Sequence, residues 1–370
     1  MKKTVILPLF LSLALAACGP AEPEKEIVRY SNLAADAGFD TVLIYTEFGY
    51  DNDQMASHFK TAEEIFRSCD AEFDIYNDHE GINGLKAVND NAGKGPVKVS
   101  STLIDLLQKA KQFYDLSDGK FDITIGAPLK IWHEYREKGI ADTEAGKEGS
   151  IPSQEELEAV RACRGWDKVI VNETDQTVQI TDPCVRLDAG GIAKGYAAEV
   201  MGQQLEGSVE VCGNINAGGN IRTIGTKQDG TDWNVGIRDP QGDGSSYLLI
   251  VSGAGSMSFV TSGDYERFYT GPGGKKYHHI IDPDTLQPAS LYHSVTVITK
   301  DSAAADALST SLFTMTAEEG KKMLAAYTAE SGNAAEAVWI MDQSAAQPGA
   351  EEHKGMAVIY TDGLKGKISE

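Results

Sequence analysis

Positive charge is scarce in this sequence: its 370 residues hold 33 Lys+Arg against 55 Asp+Glu, a formal net charge of −22. No basic stripe can be drawn for a phosphate backbone, whose binding is dominated by cationic contacts, and anionic membrane surfaces are disfavoured too. Nucleic-acid binding is the first class excluded. Cysteines number only five, with no C-x-x-C and none at zinc-finger spacing from a His, so no closed zinc site is written in the chain. The G-x-G-x-x-G and P-loop patterns are missing, as are internal repeats and long low-complexity stretches. What is there is ordinary: 41% hydrophobic and 24% charged residues describe a globular chain. It is long enough to bury a core without a metal or disulfide.

A long apolar run, Val5 to Ala17, follows Lys2 and Lys3 and is broken by Pro8 and Ser12. It is too short to span a membrane as a mature helix and reads as a secretory signal. The run ends Leu15-Ala16-Ala17-Cys18-Gly19, which resembles the bacterial lipobox, where the Cys is lipidated. The expectation is a lipoprotein signal peptide over 1–17, a lipidated Cys18 with a tether over 18–37, and one domain over 38–370. That domain then sits on the periplasmic side of a bacterial membrane. An oxidising compartment permits bridges among Cys69, Cys163, Cys184 and Cys212, in three pairings if all four pair. Buried free thiols are the other reading.

Strands and helices alternate in groups. Thr41–Phe48 reads as a strand, and Gln54–Phe73 and Ser100–Leu116 have helical apolar spacing. Residues 138–150 are charged and Gly-rich, a surface excursion. Ser153 with Glu156, and Thr316 with Glu319, form capping boxes that open two further helices. Lys168–Asn172 and Thr177–Thr181 read as strands, and Val185–Leu187 runs through Gly190-Gly191 into a helix ending near Leu205. Short strands fill Val209–Tyr269. Ser294–Thr299 is a strand, followed by helices near Ala303–Met315 and Ala317–Tyr327 and strands at Ala337–Met341 and Met356–Tyr360. This is an α+β fold, one large domain or two closely packed lobes.

Five segments carry chemistry. In Asp188-Ala189-Gly190-Gly191-Ile192-Ala193-Lys194, paired glycines before a helix let the backbone approach a phosphate, and Lys194 adds a point charge. A tight turn with a surface Lys is an equal reading. Asn216-Ala217-Gly218-Gly219-Asn220 reads first as a Gly hairpin. Thr261 to Phe268 gathers Ser262, Asp264, Glu266 and Arg267 with two aromatics, a pocket wall or a solvated hairpin. In Tyr277-His278-His279-Ile280-Ile281-Asp282, neighbouring strand residues face opposite ways, so only one His enters a site. Asp306 and Thr310, at i and i+4, share a helix face. A carboxylate with a hydroxyl suits Mg²⁺, and an exposed helical Asp there would cost about 0.5 kcal/mol or less to remove.

Taken in order, these blocks resemble the ApbE family of FAD:protein FMN transferases, over about Phe39 to Thr316. Carried by DAGGIAKGYAAEVM, NAGGNIRTIG, TSGDYERFY, YHHIIDPDT and ADALSTSLF, the resemblance implies an ApbE-like domain. It implies that Asp306, Thr310 and the Gly191 carbonyl hold Mg²⁺ against the pyrophosphate of FAD, the substrate. Phe39, Tyr76, Lys120, Phe121, Asp122, Asp188, Lys194 and Ile280 match FAD-contact positions, with Ser262 and Glu266 beside them. His279 matches the catalytic-region histidine, with Asp282 as the nearby carboxylate. The implied reaction moves FMN from FAD to a Thr or Ser hydroxyl of a target protein and releases AMP. The implied targets are flavoproteins of membrane complexes, Rnf-type or the sodium-translocating NADH:quinone reductase. The opening Phe39-Asp40-Thr41 departs from the Met-Gly-Thr of many relatives. Two other readings stand beside transfer: a Mg²⁺-dependent FAD pyrophosphatase, and a lipid-anchored FAD-binding protein without chemistry.

Overall fold

Strands whose two residue phases are both apolar need cover on both faces. The computed structural model describes residues 26–370, and the central strands are of this kind. Nine strands form a sheet in the spatial order Val28–Ala34, Leu43–Gly49, Cys212–Ala217, Asn220–Gly225, Ser258–Gly263, Ser294–Thr299, Glu336–Asp342, Met356–Tyr360, Glu351–His353. Every neighbouring pair is antiparallel. Ser294–Thr299 is buried at all of its positions.

The two phases go to different cores. Val295, Val297, Ala337, Trp339 and Met341 join the large core beneath the helices. Ile298, Val338 and Ile340 pack on the opposite face. There the cover is a small sheet of Trp233–Arg238, Tyr247–Gly253 and Ile368–Ser369. The large core gathers residues from Ala37 to Ile359, so the described chain is one domain rather than two lobes.

Eight helices lie among the described residues: α1 (Asn52–Phe73), α2 (Leu85–Asp90), α3 (Ser101–Leu116), α4 (Gly126–Glu144), α5 (Gln154–Ala159), α6 (Ala193–Leu205), α7 (Ser302–Leu312) and α8 (Ala317–Ser331). Asp51 caps α1 by accepting from Asp53 N and Gln54 N, and Met55, Phe59, Ala62, Phe66, Cys69 and Phe73 form its buried stripe. Both capping boxes are present, at α5 and α8. The α6–α7 contact positions the site. At Gly195 a Cβ would run into Ser302 O and lie 2.5 Å from Asp306 Cβ, so only glycine admits this approach.

Several expectations are corrected. The tether over 18–37 is too long, because Val28–Ala34 pairs in register with Leu43–Gly49 and Tyr30 meets Tyr45 and Phe59 at 6.5 Å. The surface excursion is shorter than 138–150, since 138–144 are the last turns of α4, where Gly139 seats the Tyr269 ring. Val185–Leu187 makes a single bridge, Ile125 with Arg186, instead of a strand. The strand before the histidines stops at Tyr277. Cys163 and Cys184 form a disulfide, whereas Cys69 and Cys212 are buried thiols. The signal peptide and Cys18 lie outside the described residues. No helix among the described residues is long and apolar enough to cross a membrane.

Candidate active site

The Asp188–Lys194 loop is pinned before it is functional. Buried Asn89 brackets Leu187, donating from Nδ2 to its carbonyl (2.8 Å) and accepting its N–H at Oδ1 (2.7 Å). Asp188 N donates to Ile123 O, and Asp188 Oδ1 accepts from Gly190 N, both at 2.8 Å. A Cβ at Gly191 would lie 3.1 Å from the Phe121 ring and 3.2 Å from Thr310 Cγ2. Glycine therefore lets its carbonyl reach Thr310, whose hydroxyl donates to it at 3.4 Å.

Asp306 completes this cluster, but not as an exposed residue. It is buried, and its Oδ2 accepts from Gly195 N (2.8 Å) and Asn220 Nδ2 (3.0 Å). The hairpin reading of Asn216–Asn220 holds for its glycines, which turn at φ 60° and 92°. Asn220 beyond them is the part that reaches the site. Asp306 Oδ1 has no hydrogen-bond partner among the described residues. With Thr310 Oγ1 and Gly191 O it offers hard oxygen only. No group of three His, Cys, Asp or Glu suited to a metal occurs among the described residues. One carboxylate with neutral oxygens fits Mg²⁺, which keeps several positions for water and phosphate.

Lys194 opens α6 and has no ion-pair partner among the described residues. Burial pushes its pKa down, Asp306 and Asp188 pull it back up, and Arg267 lowers it further. Asp188 is pushed up by burial, against its bond from Gly190 and the nearby Arg267 and His133.

The two histidines divide as opposite-facing neighbours should, although they lie beyond the strand. His278 is buried, with Nε2 donating to Ala289 O (2.7 Å) and Nδ1 accepting from Ile280 N (3.2 Å), so both ring nitrogens are occupied. His279 donates from Nδ1 to Glu266 O (3.2 Å), which leaves Nε2 as a free acceptor. Burial, then Arg267, His278, Lys194 and Arg136, hold its pKa well below 6.5. It is a neutral base at pH 7.

The remaining expected residues scatter. Asp282 is tied to Lys120 (3.6 Å) and to Asp284 N (2.9 Å), and Lys120 also pairs with Asp284 (2.7 Å). Asp122 bonds Thr124 N and Oγ1. Ser262 meets Ser309 at 2.9 Å, and the Glu266 carboxylate turns out to Arg238 at 3.1 Å. Buried Ile280 accepts at its carbonyl from Ala289 N. Phe39 sits at φ 55°, its N–H on Asp70 (2.6 Å) and its ring 4.9 Å from Phe66. Tyr76 is 55% exposed, and its ring lies 4.9 Å from that of His133. Burial and Asp188 push its hydroxyl up to about 12.

Sequence reasoning missed His133 and Arg136 as site residues and gave Arg267 no role beyond a possible pocket wall. Arg136 donates to His133 Nδ1 at 2.8 Å, and Arg267 donates to Phe39 O at 2.7 Å. Only Arg267 lay inside a segment already marked as chemical.

Known proteins are similar to this chain in sequence and in fold. The ApbE family model matches residues 40–339. The FAD:protein FMN transferase of Treponema pallidum (strain Nichols) is 33% identical over 285 residues, 74% of this chain and 76% of its own length. That of Klebsiella pneumoniae (strain 342) is 32% identical over 263 residues, 70% and 77% of the two lengths. The crystal structure of the ApbE protein of Thermotoga maritima superposes with a TM-score of 0.73 at 27% identity, over 93% of this chain and 100% of its own. The flavin transferase ApbE of Vibrio cholerae shares the fold at a TM-score of 0.68 and 23% identity, over 92% and 99% of the two chains. By its family match over residues 40–339 and its identity to the Treponema protein across three quarters of both chains, the protein belongs to the ApbE family.

Proposed function

We propose that this chain transfers the FMN part of FAD to a Thr or Ser hydroxyl of a target flavoprotein and releases AMP. The observation that carries this reading is Lys194, an unpaired cation at a helix N-terminus beside the Asp306, Thr310 and Gly191 oxygens. A cation without an ion-pair partner favours an anionic ligand, and the positive end of the helix dipole favours it further. The pyrophosphate of FAD is such a ligand.

Asp306, Thr310 and the Gly191 carbonyl would hold Mg²⁺, which when bound neutralises pyrophosphate oxygens. The protein's own groups do the rest. Lys194 offsets charge on the non-bridging oxygens and on departing AMP. The acceptor oxygen attacks the FMN-side phosphorus, the bond from that phosphorus to the bridging oxygen breaks, and AMP leaves with the electron pair. The hydroxyl proton passes to His279 Nε2, which the Glu266 carbonyl aims by holding Nδ1–H. Tyr76 offers an open ring face for a flat group.

The acceptors we propose are flavoprotein subunits of Rnf-type complexes or of the sodium-translocating NADH:quinone reductase. The proposed location is the periplasmic side of a bacterial membrane, with Cys18 as the anchor. The Cys163–Cys184 bridge supports an oxidising compartment. Incubation of the protein with FAD, Mg²⁺ and an acceptor domain tests the reaction. The acceptor should gain one FMN moiety as AMP appears. AMP release at full rate without the acceptor, and no mass gain with it, would favour the pyrophosphatase.

A further inference from the structure

We propose that Arg267 is a second cation for the organic diphosphate and, through Phe39, the clasp that positions the ligand between the Phe39 turn and the His279 segment. This rests on the reading of the residues around Lys194 and Asp306 as an FAD site. Two successive residues in the turn between Ser258–Gly263 and Tyr269–Thr270 reach different parts of the chain. Glu266 O holds His279 Nδ1 at 3.2 Å, and Arg267 Nη2 reaches Phe39 O at 2.7 Å, 228 residues away in sequence. The backbone turns at Arg267 with φ 44° to make this possible, and the opposite jaw is turned likewise, at φ 55° for Phe39 and 50° for Asp40. Positive φ in non-glycine residues persists where surrounding contacts over-determine it, and it concentrates at ligand clamps. The Phe39 jaw is fixed from behind by Asp70 and Phe66.

Arg267 itself is exposed and held only at its tip. A guanidinium has five donor hydrogens, so most of its capacity remains open. The carboxylates on its own turn are committed elsewhere, Glu266 to Arg238 and Asp264 to His293. In a chain of net charge −22, Arg267 and Lys194 both stay without an ion-pair partner among the described residues. The field of Arg267 is felt at Asp188, Lys194, His279 and Tyr76, which sets its charge among these site residues. A planar fork of donors matches phosphate oxygens better than a point charge does.

The test is FAD affinity, read by quenching of flavin fluorescence, for the full chain and its Arg267→Gln and Arg267→Lys variants. Arg267→Gln should weaken FAD binding about tenfold and Arg267→Lys about threefold, with melting temperatures near wild type. Raising NaCl should weaken the wild type more than Arg267→Gln, because one screened contact is already gone. Unchanged affinity in Arg267→Gln, equal losses in the two variants, or a loss indifferent to salt would overturn the proposal. A wild-type chain that takes no FAD overturns both this inference and the reading beneath it.

Discussion

Asp306 serves two purposes that one substitution cannot separate cleanly. Its Oδ2 satisfies two donors, Gly195 N and Asn220 Nδ2, in a buried place, so Asp306→Ala leaves both unpaired, at about 1–3 kcal/mol each. Asp306→Asn is the sharper variant, since its amide oxygen still accepts while the negative charge is gone. It should lower AMP release by roughly 100-fold or more, with a loss of stability of only about 1–2 kcal/mol. Unchanged turnover at low Mg²⁺ would sink the metal assignment. His279 gives a second residue-scale test. Removing a positioned general base costs roughly 10²–10⁴-fold in rate, so His279→Ala should lose kcat while FAD affinity moves little. Its pKa lies well below 6.5, through burial first and then the Arg267 charge. The base therefore stays unprotonated from neutral into mildly acidic solution, and the acid limb of kcat/KM should fall below pH 6.5. Protonation at lower pH also favours the unfolded chain, whose histidine binds its proton first as pH falls. A limb above pH 6.5 would assign the base elsewhere.

At the scale of elements, the disulfide does the least visible work. Cys163 follows α5 and Cys184 precedes the Asn89-pinned segment into Asp188, with a separation of 21 residues. Closing a loop of that size stabilises by about 3 kcal/mol in the chain-entropy view. Reduction, or Cys163→Ser, should therefore lower the melting temperature by several degrees. The buried Cys69 thiol, pushed up to about 12 by burial and then by Glu72 and Asp70, is a poor exchange partner. An unchanged melting curve under reductant would contradict the bridge. Much of this level was legible beforehand. The apolar stripes of α1 and α3 and the capping boxes of α5 and α8 are local signals, and local signals survive in sequence. Val28–Ala34 was not legible, because this edge strand has no fully buried side chain and its alternation runs out after Ser31. Nor was the end of α4, whose buried positions are only Gly126, Pro128, Trp132 and Gly139. The site divides the same way. Asp306 and Thr310 share a helix and can be paired by spacing, whereas Asn89 and Asn220 act through contacts 98 and 86 residues away. Arg267 meets Phe39 across 228.

For the whole molecule, the question is what approaches the site: water, or a second protein. Tyr76 stands beside Asp188, 55% exposed and backed by His133 at 4.9 Å, with Arg136 fixing that ring. A flavin stacked on Tyr76 would cover the open face and leave little room to orient water. An acceptor Thr arrives with its hydroxyl already placed by the rest of its domain, an advantage worth several kcal/mol in favourable cases. The wild type should accordingly cleave FAD slowly alone and rapidly with acceptor. Tyr76→Asn removes the aromatic platform and admits water, so acceptor-independent AMP release should rise several-fold while transfer falls. A two-arm assay reads both, following AMP with and without acceptor and recording the acceptor's mass. Cys18→Ser belongs in the same comparison. If Cys18 is the anchor, that variant should shift to the soluble fraction, lose access to a membrane-bound acceptor, and keep full transfer to a soluble acceptor domain. Equal FAD hydrolysis by wild type and Tyr76→Asn would remove Tyr76 from the choice between water and protein.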